Sequence, residues 1–179
     1  AFQPEETDDK EMASILESNT LIAIYLFDET EIKVLMKENK DQRIVVGLLY
    51  IDNYEEALES IDEVRRSLLI ALIDRKINKY MQSIDAIIKK LEKDKYVVIF
   101  QHKYLAQLQS TKLSILDEVR AVNIGNEMAV TLSMGLGVNA ETYLDGYEYA
   151  RASIDLALGR GGDQAVIKEG EKILYYGGK

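Results

Sequence analysis

The sequence predicts an α+β sandwich, with a central mixed, mainly antiparallel sheet flanked by helices. Three observations predict it. RIVVGLLYI, residues 43–51, is apolar almost throughout, as a strand covered on both faces must be. Ile61, Val64, Leu68, Leu69, Leu72, Ile73, Ile77 and Tyr80 recur at three- and four-residue spacing, which gives a long helix one buried stripe. SIDAIIKKL and KYVVIFQ are β-favouring runs separated by the charged Glu92–Asp94, which makes them a hairpin.

Taken in order, AFQPEETDDKE (1–11) is acidic, contains the only proline, and reads as a poorly ordered leader or a short helix start. TLIAIYLF (20–27) reads as a strand. Asp28 with Glu31 three residues on forms a capping-box pattern, so a short helix over EIKVLMKENKDQ leads into the strand at 43–51. The long helix and the hairpin follow. Residues 103–122 return to helical spacing through Leu105, Leu108, Leu113, Leu116 and Val119, and MAVTLSMGLGV (128–138) alternates as a strand. TYLDGYEYARASIDLALG is helical and is stopped by Gly159, Gly161 and Gly162. DQAVIKEG and KILYY close as two short strands. The expected division is a leader (1–19), a strand and connector helix (20–41) and a main domain (42–179).

Composition narrows the chemistry. The chain carries 31 acidic and 22 basic residues, a net charge of −9, which disfavours nucleic acid and anionic membrane surfaces because both need clustered Lys and Arg. It has no cysteine and a single histidine, His102, so thiol catalysis, Cys-based zinc sites and multi-histidine metal centres are excluded. No run reaches the roughly 18 apolar residues of a membrane span. His102, directly after a strand, reads as a surface or helix-capping residue.

The hairpin turn Glu92-Lys93-Asp94-Lys95-Tyr96, the strand end Tyr50-Ile51-Asp52-Asn53-Tyr54 and the pair Leu58-Glu59 carry a resemblance. Over roughly 43–170 the chain resembles the GGDEF family, whose members make cyclic-di-GMP from GTP on a nucleotidyl-cyclase-like sandwich. In that family the turn reads Gly-Gly-Asp/Glu-Glu-Phe, and its glycines let the backbone approach a triphosphate. Here Glu92 and Lys93 replace the glycines, Asp94 keeps the metal-binding acid, and Lys95 reverses the charge of the next position. Tyr50 replaces the first acid of Asp-x-Asp-x-Phe, although two magnesium ions need several anionic oxygens. Leu58 and Glu59 replace the Asn-Asp that reads guanine, and leucine makes no base-selecting hydrogen bond. Ser83 and Ala86 replace the inhibitory Arg-x-x-Asp. The resemblance therefore implies a cyclase fold without cyclase activity.

GLLYIDNYEEA (47–57) and GRGGDQAVIK (159–168) resemble more closely the degenerate GGDEF domain of GdpP-type (YybT-type) cyclic-di-AMP phosphodiesterases. Those are membrane-anchored bacterial proteins in which a PAS domain precedes the GGDEF domain and a DHH/DHHA1 phosphodiesterase follows it. IYLFDETE (24–31), with Asp28 and Thr30, resembles the last PAS strand and its junction. The resemblance implies an excised cytoplasmic middle domain whose partners are the PAS and DHH/DHHA1 neighbours and a second copy in a homodimer. The phosphodiesterase centre needs several Asp and His residues around manganese, so it lies outside this chain.

Two functions follow as expectations. One is regulation, with helix 29–41 carrying the PAS signal. The other is weak binding or hydrolysis of ATP with Mg2+, in which Asp94 holds the metal and Asp52, Leu58, Lys93 and Lys95 line the nucleotide. Bland alternatives stand beside these residues. Asp94 is also an ordinary turn residue. Lys93 and Lys95 are also edge protection. Tyr50 either stacks on a base or fills space. Arg160 either swings toward the site or remains in a Gly-rich helix stop.

Overall fold

The computed structural model describes residues 24–177. The chain divides into two compact units at Leu35/Met36. In the described part of the first unit, residues 24–29 have no regular structure, and helix α1 (Thr30–Gln42) begins at its end. The expected strand at 20–27 is therefore not formed over 24–27, and residues 20–23 and the leader 1–19 lie outside the described residues. A strand needs a neighbour for its backbone groups, and among the described residues none pairs with this run. Asp28 does act as a cap, its Oδ1 accepting from the Thr30 N–H at 2.9 Å.

The second unit is built on a six-stranded sheet. Its strands are β1 (Ile44–Ile51), β2 (Ile87–Lys90), β3 (Lys95–Gln101), β4 (Leu132–Val138), β5 (Gln164–Glu169) and β6 (Lys172–Gly177), in the order β2-β3-β1-β4-β5-β6. Only β4 and β5 pair in parallel. A parallel pair needs a crossover, and here helix α6 (Tyr143–Gly159) supplies it. The helices between β1 and β2 are α2 (Tyr54–Glu59) and α3 (Glu63–Gln82), with Asp62 capping α3 by accepting from the Arg65 N–H at 3.0 Å.

The two faces of the sheet differ. Val45, Leu49, Tyr96, Val98 and Phe100 point into the main core with Leu69, Ile73 and Ile77 of α3. The opposite face, Val46 and Leu48, meets Ala150 and Ile154 of α6. This explains why β4 reads LSMGLGV: a Cβ at Gly135 would overlap the Ala150 carbonyl, and one at Gly137 would overlap the Gly146 carbonyl. The glycines let α6 lie directly on the strand.

Three expected elements differ in extent. The helix expected over 103–122 is a 3-10 turn (His102–Tyr104) followed by α4 (Leu105–Ser110) and α5 (Ile115–Arg120). The break is a left-handed step at Lys112 (φ 51°) and Leu113 (φ 53°), which buries Leu113 completely and returns its N–H to the Leu108 carbonyl at 2.8 Å. β2 covers only the IIKK of its run, because Asp85 (φ 49°) turns the chain just after α3. β4 starts at Leu132 rather than Met128, since Asn53 ties down the preceding backbone.

Candidate functional site

The C-terminal end of β1, the start of α2 and the β2–β3 turn converge. The register sets Tyr50 opposite Lys95 and Leu49 opposite Tyr96. The Ile51 N–H donates to the Asp94 carbonyl at 2.9 Å, so the backbone of the turn is fixed to the strand end. Tyr50, Tyr54, Lys93, Asp94 and Lys95 are thereby brought together.

Three lysines of the hairpin, Lys90, Lys93 and Lys95, are each matched with a carboxylate of the domain itself. Lys93 forms an ion pair with Glu55 at the start of α2, and its ammonium lies 5.7 Å from the centre of the Tyr54 ring. Lys95 pairs with Glu92 at 2.8 Å and lies 5.5 Å from the Tyr50 ring. Lys90 pairs with Asp74 of α3 at 3.0 Å, and the Tyr96 hydroxyl donates to the same carboxylate. The Glu55 and Glu92 contacts raise the pKa of Lys93 and Lys95 respectively, so both stay charged and occupied. Burial, then the Asp74 hydrogen bond, pushes the Tyr96 phenol upward. Burial also raises Tyr50, which sits on the α6 side of β1.

Asp94 is the exception, half-buried and in no ion pair among the described residues. No group of three or more His, Cys, Asp or Glu that could hold a metal occurs among the described residues. With Tyr50 in place of an acid, the donor set does not fit the two-magnesium centre implied by the cyclase resemblance.

Asp52 and Leu58 have other commitments. Asp52 accepts from the Asp163 N–H at 2.8 Å and so joins the end of β1 to the turn between α6 and β5. That turn passes so close that a Cβ on Gly162 (φ +74°) would stand 2.8 Å from the carboxylate. Burial raises the Asp52 pKa, while the hydrogen bond from the Asp163 N–H counters it. The YIDNY and GRGGDQ stretches are thus two halves of one contact. Neighbouring Asn53 completes the brace: its Nδ2 donates to the Ala129 carbonyl at 2.8 Å and its Oδ1 accepts from the Thr131 N–H at 3.0 Å. Leu58 packs against the main core.

Arg160 does not swing toward the hairpin. Its Nε donates to Gln164 Oε1 at 3.1 Å and its guanidinium lies 4.6 Å from the Tyr175 ring. His102 opens the 3-10 turn, its N–H donating to the Arg43 carbonyl at 2.8 Å, and burial lowers its pKa. Sequence reasoning missed the Asp74–Tyr96–Lys90 group and the Arg120–Asp163 pair (2.6 Å). For Asp74 a signal existed, a carboxylate immediately beside the buried stripe residue Ile73; Arg120 and Asp163 are too far apart in sequence for one.

Comparison with known proteins agrees with this geometry. Residues 49–174 match the family described as "Cyclic-di-AMP phosphodiesterase GdpP-like, GGDEF domain". The chain is 34% identical over 157 residues to the cyclic-di-AMP phosphodiesterase GdpP of Geobacillus thermodenitrificans, covering 87% of this chain and 24% of that protein. It is likewise 34% identical to the cyclic-di-AMP phosphodiesterase PdeA of Listeria monocytogenes, with the same coverage. The chain therefore spans about a quarter of the length of these relatives. Among solved structures, the GGDEF domain of DgcB from Caulobacter crescentus, in complex with c-di-GMP, superposes with a TM-score of 0.60 at 18% identity, covering 78% of this chain and 86% of that one. The active GGEEF domain of a diguanylate cyclase from Vibrio cholerae gives 0.58 at 10% identity, covering 76% and 89%. These likenesses establish the fold, and the family match over residues 49–174 establishes that this chain belongs to the GdpP-like GGDEF domain family.

Proposed function

We propose that this domain is a regulatory module of a larger, membrane-anchored cyclic-di-AMP phosphodiesterase and has no diguanylate cyclase activity. It relays input from a preceding PAS domain, through α1, to a DHH/DHHA1 phosphodiesterase, and it associates with those neighbours and with a second copy of itself. One observation carries this reading. Three hairpin lysines are matched internally, with Lys93 on Glu55, Lys95 on Glu92 and Lys90 on Asp74, in the place where a cyclase cradles a triphosphate. The test has two parts. This chain with GTP and Mg2+ should form no cyclic-di-GMP by mass spectrometry. Deleting residues 42–179 from the parent protein should change its rate of cyclic-di-AMP hydrolysis. Cyclic-di-GMP formation, or an unchanged hydrolysis rate, would sink the proposal.

A second reading is favoured by Asp94, the turn acid without an ion pair among the described residues. In it, ATP brings a single Mg2+ whose other ligands are phosphate oxygens and water, and Asp94 supplies the protein ligand. Calorimetric titration with Mg-ATP beside Asp94→Ala decides it: heat that is lost in the variant supports this reading, and no heat up to millimolar ATP removes it.

A further inference from the structure

One face of the sheet is only half covered. α6 rests on β4, β5 and β1, and the same side of β2 and β3 stays open among the described residues. A sheet face turned to water carries polar side chains at alternate positions. β3 breaks that pattern. Tyr96, Val98 and Phe100 fill the main core, yet Val97 and Ile99, which point the other way, are also apolar and only half-buried. The register sets Ile87 of β2 beside Ile99, and Ile87 is 71% exposed. Val97 also packs with Ile44 and Tyr50 against the small cluster under α6, so this apolar floor is continuous with that cluster.

A second apolar surface borders the floor. Tyr143, Leu144, Tyr147 and Leu158 of α6 are all exposed, and at 3.6 residues per turn they share one flank of the helix. The opposite flank is turned to β5, where the Lys168 ammonium lies 5.1 Å from the Tyr149 ring, so the apolar flank is the one turned toward β3. A flat floor and a convex flank thus lie side by side on one molecule. α6 is already seated on β4, so a single copy cannot lay its own flank on its own floor. The rim carries both signs of charge. Lys89 of β2 and Asp155 of α6 are exposed, and neither makes an ion pair among the described residues. A two-fold contact is self-complementary, so it sets a cation of each copy against an anion of the other twice over.

We propose that this face binds a second copy of the domain, with the α6 flank of each copy laid on the β2–β3 floor of the other and Lys89 of each facing Asp155 of the other. The inference rests on the reading above that the domain associates with itself, and it assigns the surface. That surface lies on the side of the sheet opposite α3 and the main core. Its centre is apolar, which suits two copies that each carry a net −9.

The test is sedimentation velocity of the whole 179-residue chain over a concentration series up to millimolar. The chain should pass from monomer to dimer. Ile87→Glu and Leu144→Glu, both at exposed positions, should each weaken the dimer at least tenfold. Val64→Glu, an exposed apolar position on α3, should leave it unchanged. Lys89→Glu alone and Asp155→Lys alone should weaken it, and the two together in one chain should restore it, a recovery that damage to the fold cannot mimic. Thermal melts of each variant serve as the folding control. A dimer that Ile87→Glu and Leu144→Glu leave intact would overturn this face while self-association stands. A dimer lost in those variants but not recovered in the charge exchange would overturn the pairing of Lys89 with Asp155. A chain that stays monomeric would overturn both the face and the self-association it rests on, and would leave the floor to a neighbouring domain of the parent protein.

Discussion

Asp52 shows how one side chain can keep its identity while its environment decides its role. Its carboxylate holds the Asp163 N–H, and removing that acceptor leaves a part-buried donor unmatched. Asp52→Ala should therefore cost roughly 1–3 kcal/mol in urea unfolding. Asp52→Asn keeps an acceptor oxygen and should be far milder. The pH dependence has a definite sign. The folded pKa lies above the ordinary 3.8, so the folded state holds the proton more tightly. The contribution is full below that ordinary value and is lost as pH rises through the folded value. The difference in stability between Asp52→Asn and the parent should accordingly shift in favour of the variant from pH 4 to pH 7. His102 runs the other way. Its pKa is lowered by burial, so its contribution is present above the ordinary 6.5 and is lost as pH falls through the folded value. As the only histidine, it should account for the loss of stability on acidification from pH 7 toward 5, and His102→Gln should flatten that slope in thermal melts.

Among elements, α6 depends on what lies beneath it. Gly137→Ala places a Cβ on the Gly146 carbonyl, which cannot retreat without lifting the helix from β4. We expect a loss of about 3 kcal/mol or more, read from chemical denaturation. Gly159→Ala, where nothing lies within 4 Å, is the control and should be close to neutral. The elements legible in the sequence were those with a strong period: β1, α3, the hairpin, β4 and α6. The break at Lys112–Leu113 was not legible, because the leucine spacing continues across it while a buried Leu113 demands a left-handed step. Residues 24–27 read as a strand because they are apolar and β-favouring, yet a strand exists only with a partner. In the site, the substitutions at Tyr50, Lys93 and Lys95 were visible in the sequence. Glu55, which Lys93 faces, was not, since the two are 38 residues apart.

For the molecule as a whole, the described core begins at Val45, with Ile44 packed against its second cluster. A chain starting at Met36 should therefore unfold in one transition, with a melting temperature within a few degrees of the full chain, by calorimetry. A substantially lower midpoint would mean that earlier residues contribute to this core.

The internal pairing at the hairpin also couples positions 50 and 93 to the charged groups around them. An acid at position 50 would stand opposite Lys95, where it would compete with Glu92 for the ammonium before it could meet a metal ion. A glycine at position 93 would leave Glu55 without its ion pair. Either change would therefore call for a second one at its partner, position 95 or position 55.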